Sequence, residues 1–212
     1  MKKLLFIGNS HTYVNQMPQM VSELFRIYDS EEALPVMLTQ GGMTLRWHGD
    51  QEQTHFNIRY GRYDFVVLQQ ATHPFDGAEA LLRSAGWLLP EIRESGARPV
   101  AYMTWAQKSR PEDQAELTEA FTRLAREENT LLAPAGVIWE RMRQQHPETE
   151  LYAGDGAHAS MAGSYLAAVS IYMAMTGKKA LPFREDAFYT DRKLDAALCR
   201  EIHRLAGEVF SA

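Results

Sequence analysis

A serine, a histidine and a carboxylate stand in two short segments near opposite ends of the chain. Ser10 lies in Phe6-Ile7-Gly8-Asn9-Ser10-His11-Thr12, directly behind an apolar run, and the second segment is Asp155-Gly156-Ala157-His158. A serine hydroxyl is a weak nucleophile at neutral pH. It becomes an acylating one when an imidazole takes its proton and a carboxylate orients that imidazole. The spacing of Asp155 and His158, in a loop with a glycine, lets the carboxylate accept from one ring nitrogen while the other faces the serine. Each segment also has an ordinary use, since Asn9-Ser10 is a good helix cap. The constellation rests on the pair.

Acyl transfer also needs donors for the oxyanion. Gly8 permits a sharp bend before Ser10, whose own N–H would be one donor. Gly41-Gly42 can expose a backbone N–H where a side chain would block it, a candidate second donor, although such a pair more often makes a plain turn at a strand end. Gln69 and Gln70 end an apolar run with adjacent side-chain amides, and either is a candidate third donor; both could equally satisfy loop backbone. His11, Tyr13, His73 and Trp105 are candidates to line a substrate pocket, with Trp47 beside them, although a tryptophan at a strand end more often packs. His48, His55, His73 and His146 are scattered and read as surface or loop residues. No HExxH and no paired CxxC supports a metal site, and no P-loop or Gly-x-Gly-x-x-Gly follows the first apolar run.

These residues need a scaffold that brings them together. Apolar runs at Leu4 to Ile7, Leu34 to Leu38, Asp64 to Leu68, Arg98 to Met103 and Thr130 to Ala133 read as buried strands. Between and after them, helical spacing covers Met17 to Tyr28, Gly77 to Ser95, Pro111 to Glu128, Val137 to Gln145, Met161 to Met175 and Asp191 to Phe210. Trp47 to Tyr60 is polar and reads as loop and helix. Such alternation predicts an α/β fold with a parallel sheet covered on both faces, in which ligands bind beyond the carboxyl ends of the strands. Ser10, Gly41-Gly42, Gln69-Gln70 and Thr104-Trp105 all fall there.

The 212 residues, without repeat or linker, suit one domain over 1–212. A net charge of -5, spread along the chain, offers no basic field for nucleic acid or an anionic membrane. The lone Cys199 excludes an intrachain disulfide and suits a reducing compartment. Met1 to Ile7 is too short an apolar run for a signal peptide, and no later stretch would span a bilayer, so a cytoplasmic protein is expected.

Gly8-Asn9-Ser10-His11-Thr12 resembles the first block of the SGNH (GDSL-like) hydrolases, with Asn9 in place of the usual Asp. Gly42 lies where the second block has its oxyanion glycine. Asp155-Gly156-Ala157-His158 is similar to the last block's Asp-x-x-His, followed by Ser160, Gly163 and Leu166. The third block departs: Leu68-Gln69-Gln70-Ala71-Thr72 stands where Gly-x-Asn-Asp is usual, so that Ala71 falls on the oxyanion Asn, as in a divergent bacterial branch. The resemblance implies a three-layer α/β/α sandwich with a five-stranded parallel sheet in flavodoxin-like order. It also implies Ser10 as nucleophile, His158 as base and Asp155 as its partner, and no metal or organic cofactor. The expected substrate is a small-molecule or carbohydrate ester, with a short acyl group or a carbohydrate O-acetyl group. A non-catalytic carbohydrate-binding protein and an acyltransferase on the same serine are the alternatives.

Overall fold

Five apolar segments pair as one parallel sheet in the computed structural model, which describes residues 1–184 and 192–212. They are β1 (Lys2–Gly8), β2 (Ala33–Thr39), β3 (Phe65–Leu68), β4 (Arg98–Tyr102) and β5 (Leu131–Ala133), in the order β2-β1-β3-β4-β5. This is the flavodoxin-like order. β1 and β3 are buried almost throughout because both have neighbours on each side and helices over each face. In register, Ile7 lies beside both Leu38 and Leu68, so the residues that follow these strands emerge side by side at one edge of the sheet. Chain direction across the sheet reverses between β1 and β3, and the crevice at such a reversal is where this architecture binds ligands.

Alternation along β1 assigns the two faces. Leu4 and Phe6 join the core under α2 (Met17–Asp29), α7 (Ala135–Gln145), α8 (Met161–Thr176) and α9 (Ala196–Ser211). Leu5 and Ile7 join the core under α3 (Leu45–Gly49), α4 (Glu52–Tyr60), α5 (Ala78–Glu94) and α6 (Gln114–Glu127). The result is a three-layer α/β/α sandwich. α8 is apolar around its whole circumference because it packs between α2, α7 and α9 as well as on the sheet.

Most strands and helices fall within a few residues of the sequence expectation, and three differ in a way that has a cause. Pro111 starts a short 3-10 turn over Pro111–Asp113, and α6 begins only at Gln114. The polar stretch from Trp47 to Tyr60 becomes two helices, α3 capped by the Thr44 side chain on Trp47 N–H, and α4. The last helix begins at Ala196 with Asp195 as its cap; Asp191, where the periodicity would start it, lies outside the described residues. Among the described residues no helix is long and apolar enough to cross a membrane.

Candidate active site

β1 ends at Gly8, and Asn9 turns the chain into the four-residue helix α1 (Ser10–Tyr13). Asn9 does the capping: its Oδ1 accepts from His11 N–H at 3.1 Å. Its Nδ2 donates to Met43 O at 3.1 Å, which ties the Gly41-Gly42 turn to the serine. Ser10 is therefore left free of capping, and its Oγ lies 2.7 Å from His158 Nε2.

His158 is held from the other side. Asp155 Oδ2 lies 2.5 Å from His158 Nδ1. A carboxylate only accepts, so Nδ1 carries the proton and Nε2 is left to accept from the serine hydroxyl. Asp155 Oδ1 accepts from the N–H groups of Ala157 (2.9 Å) and His158 (3.0 Å), so the carboxylate folds the loop around itself. The bond from His158, then these two backbone donors, hold the Asp155 carboxyl well below the usual carboxylate range. Gly156 takes φ +68°, the left-handed value that closes the loop. The segment after β4 anchors the same loop twice: Trp105 Nε1 donates to Ala157 O and Lys108 N–H to Gly156 O, both at 2.9 Å.

The two glutamines have different tasks. Gln69 is fully buried, and its Oε1 accepts from Asn9 N–H (2.7 Å) and Thr12 Oγ1 (3.1 Å) while its Nε2 donates to Gln70 O. Its amide is consumed in building the turn that presents Ser10, so the expectation that Gln69 donates to an oxyanion is corrected. Gln70 Oε1 accepts from Leu45 N–H at 2.8 Å, whereas its Nε2 makes no hydrogen bond among the described residues. The N–H groups of Ser10 and Gly42 are likewise without a partner among the described residues, and Gly42, at φ +72°, has open space where a side chain would stand. Three donors thus remain available at the ends of β1, β2 and β3.

Of the expected lining residues, Tyr13 is partly exposed, its hydroxyl close to Gly41. His11 and His73 are drawn together, ring centroids 4.8 Å apart, and His11 stacks on His158. Trp105 is a correction: it is completely buried, stacked on Trp139 at 3.8 Å, and serves as support for the His158 loop. His73 Nε2 donates to Trp105 O at 2.9 Å. Beyond His73 opens a cavity of about 400 Å³ lined by Thr72, Pro74, Phe75, Gln107, Arg110 and Asp113, among others. Trp47 is half-buried beside a separate, smaller hollow with Gln40 and Gln51. His48, read as a surface residue, is buried and donates to Gly8 O at 2.8 Å, beside the bond that the same carbonyl accepts from Gln40 N–H at 3.1 Å. Among the described residues no group of three or more His, Cys, Asp or Glu side chains is placed to hold a metal ion.

Asn15 was not foreseen. Its Nδ2 donates to Ala159 O (3.0 Å) and Ser164 Oγ (2.9 Å), clamping the segment after Ser10 to the segment after His158. It does so from a left-handed conformation, φ 55°, which asparagine tolerates.

No family model matches the chain, and no curated protein matches it. Solved structures do. A Slackia heliotrinireducens protein described as an SGNH hydrolase is 30% identical, with 82% of this chain and 98% of that one covered and a TM-score of 0.71. The chain belongs to the SGNH hydrolases. Two structures share the fold of this SGNH hydrolase at 16% identity. One is a DUF4886 family protein from Bacteroides uniformis, with a TM-score of 0.81 over 99% of this chain and 95% of that one. The other is Axe2, an acetylxylan esterase from Geobacillus stearothermophilus, with a TM-score of 0.68 over 82% and 94%.

Proposed function

We propose that this SGNH hydrolase cleaves an ester through Ser10, His158 and Asp155 by way of an acyl-enzyme. The observation that carries the reading is the continuous path from Asp155 Oδ2 to His158 Nδ1 at 2.5 Å and from His158 Nε2 to Ser10 Oγ at 2.7 Å. Ser10 Oγ attacks the ester carbonyl as its proton passes to His158 Nε2, and Asp155 stabilises the imidazolium without taking the proton. The N–H groups of Ser10 and Gly42 and the Nε2 of Gln70 receive the oxyanion. Collapse expels the alcohol with the proton from His158. A water then attacks the acyl carbon, His158 takes its proton, and the acid leaves with Ser10 restored.

The substrate is a small molecule, with a short acyl group. The polar cavity past His73 is suited to an alcohol part that carries hydroxyl groups, and the likeness of fold to an acetylxylan esterase favours a carbohydrate O-acetyl ester on analogy of fold.

Hydrolysis of p-nitrophenyl acetate and butyrate, run beside Ser10→Ala, is the test. Activity lost in the variant, with the fold intact, is the expected result. Full activity in Ser10→Ala overturns the assignment. A wild-type protein that neither turns over nor takes a phosphonate label on Ser10 is a binder instead.

A further inference from the structure

His158 is held at two atoms, Nδ1 by Asp155 and Nε2 by Ser10. With the Cβ–Cγ bond, these two hydrogen bonds set the plane of the ring, but both act at its edge, and its side chain is 35% exposed. A contact on the face of the ring adds direct resistance to motion out of that plane.

His11 supplies such a contact. Its ring lies parallel to that of His158, with centroids 4.9 Å apart and planes at 16°. His11 is itself 8% exposed and makes T-shaped contacts with two further rings, His73 at 4.8 Å and Trp105 at 5.5 Å. Trp105 in turn rests on Trp139, so the wall behind His158 runs into the core. The His11 main chain is pinned as well, its N–H to Asn9 Oδ1 and its carbonyl to Tyr102 Oη. Among the described residues its side chain makes no hydrogen bond, and Nδ1 is buried without a partner. What the ring offers His158 is a face.

We propose that His11 is the positioning residue for His158, its flat ring holding the imidazole in the plane where Nδ1 meets Asp155 and Nε2 meets Ser10. Burial first, and then His73 and His158 nearby, push the His11 ring down to about 3, with Asp155 alone opposing; His11 stays neutral, so no like charge meets a proton arriving on His158. The catalytic part of this inference rests on the esterase reading above; the positional part does not.

The experiment compares His11→Phe, which keeps a flat ring, with His11→Leu, which keeps only bulk. Three quantities are read in each: kcat and KM on p-nitrophenyl acetate, the low-field proton resonance of His158 Nδ1–H, and the thermal midpoint. In His11→Leu, kcat should fall about tenfold, equivalent to about 1.4 kcal/mol of barrier, with KM within about twofold and the resonance broadened away. His11→Phe should keep the resonance and most of kcat. A Leu variant that retains kcat and resonance overturns the proposal. So does a Phe variant that falls as far as Leu, or a loss of kcat that follows the folded fraction while the resonance persists. If the wild type cleaves no ester, the esterase reading fails, and the resonance still decides the role of His11.

Discussion

Gly8 and Gln69 interlock at the ends of β1 and β3: a Cβ on Gly8 would lie 2.4 Å from Gln69 Oε1 and 2.9 Å from Gln69 Cβ. Thr12 Oγ1 closes the same space at 2.5 Å. The absence of a side chain at Gly8 is what lets a buried amide reach Asn9 N–H and fix the turn before Ser10. Gly8→Ala should therefore destabilise by about 2–3 kcal/mol, the usual cost of overpacking, and lower the thermal midpoint by several degrees. It should also displace Ser10 and cut esterase activity in the protein that remains folded. A thermal scan with an activity assay on the same sample checks both.

Gln69 and Gln70 should separate when mutated. Gln69→Leu orphans Asn9 N–H in the core and should cost roughly 1–3 kcal/mol of stability by urea unfolding. Gln70→Glu keeps an acceptor for Leu45 N–H and replaces only the amide nitrogen. It should lower kcat by about a hundredfold or more, with KM little changed, as loss of an oxyanion donor does. Equal kcat in Gln70→Glu and wild type would remove Gln70 from the reaction.

Asp155→Asn preserves an acceptor for the Ala157 and His158 N–H groups but sets an amide N–H against His158 Nδ1. The imidazole then prefers the tautomer with its proton on Nε2, which cannot accept from Ser10. A drop in kcat of roughly 10³–10⁴ is expected, with an unchanged thermal midpoint. Steady-state kinetics beside calorimetry reads the two together.

Acid should loosen the fold before any carboxylate is protonated. Burial lowers His11 to about 3 and His203 to about 4, and it lowers His48 and His73 as well. In the unfolded chain these rings take up protons at about pH 6.5, while in the fold they refuse them. Between those limits the unfolded state binds more protons, so stability falls as pH falls, by up to about 1.4 kcal/mol per pH unit for each such ring. His55 works in the opposite sense: its bond to Glu91 raises it, so its contribution is present at low pH and lost as pH rises through the raised value. The buried rings outnumber it. Urea midpoints measured from about pH 7 down to about pH 5 should decline steadily, and a flat series would contradict the buried, neutral histidines.

The alternation of helical layers with a parallel sheet, the five strands and the candidacy of Ser10, Asp155 and His158 were legible in the sequence, because each depends on local pattern. Continuous apolar runs mark strands covered on both faces. A serine after such a run, with a carboxylate and an imidazole three residues apart, has a short list of uses. The glutamines could not be told apart in the same way, since adjacent amides at a strand end look alike. Only the packing of β1 on β3 decides that Gln69 is consumed by Asn9 and Thr12 and that Gln70 keeps a free Nε2. Trp105 and His48 went the same way: the sequence offers Trp105 as a pocket-lining candidate and His48 as a surface or loop residue, and burial against Trp139 and beside Gly8 O makes each a support. The stack of His11 on His158 joins residues 147 positions apart by subtraction of their numbers, and no local period reports such a contact. The chemistry proposed for this site was suggested by residue types, and the orientation of each group was set by contacts that exist only once the strands are side by side.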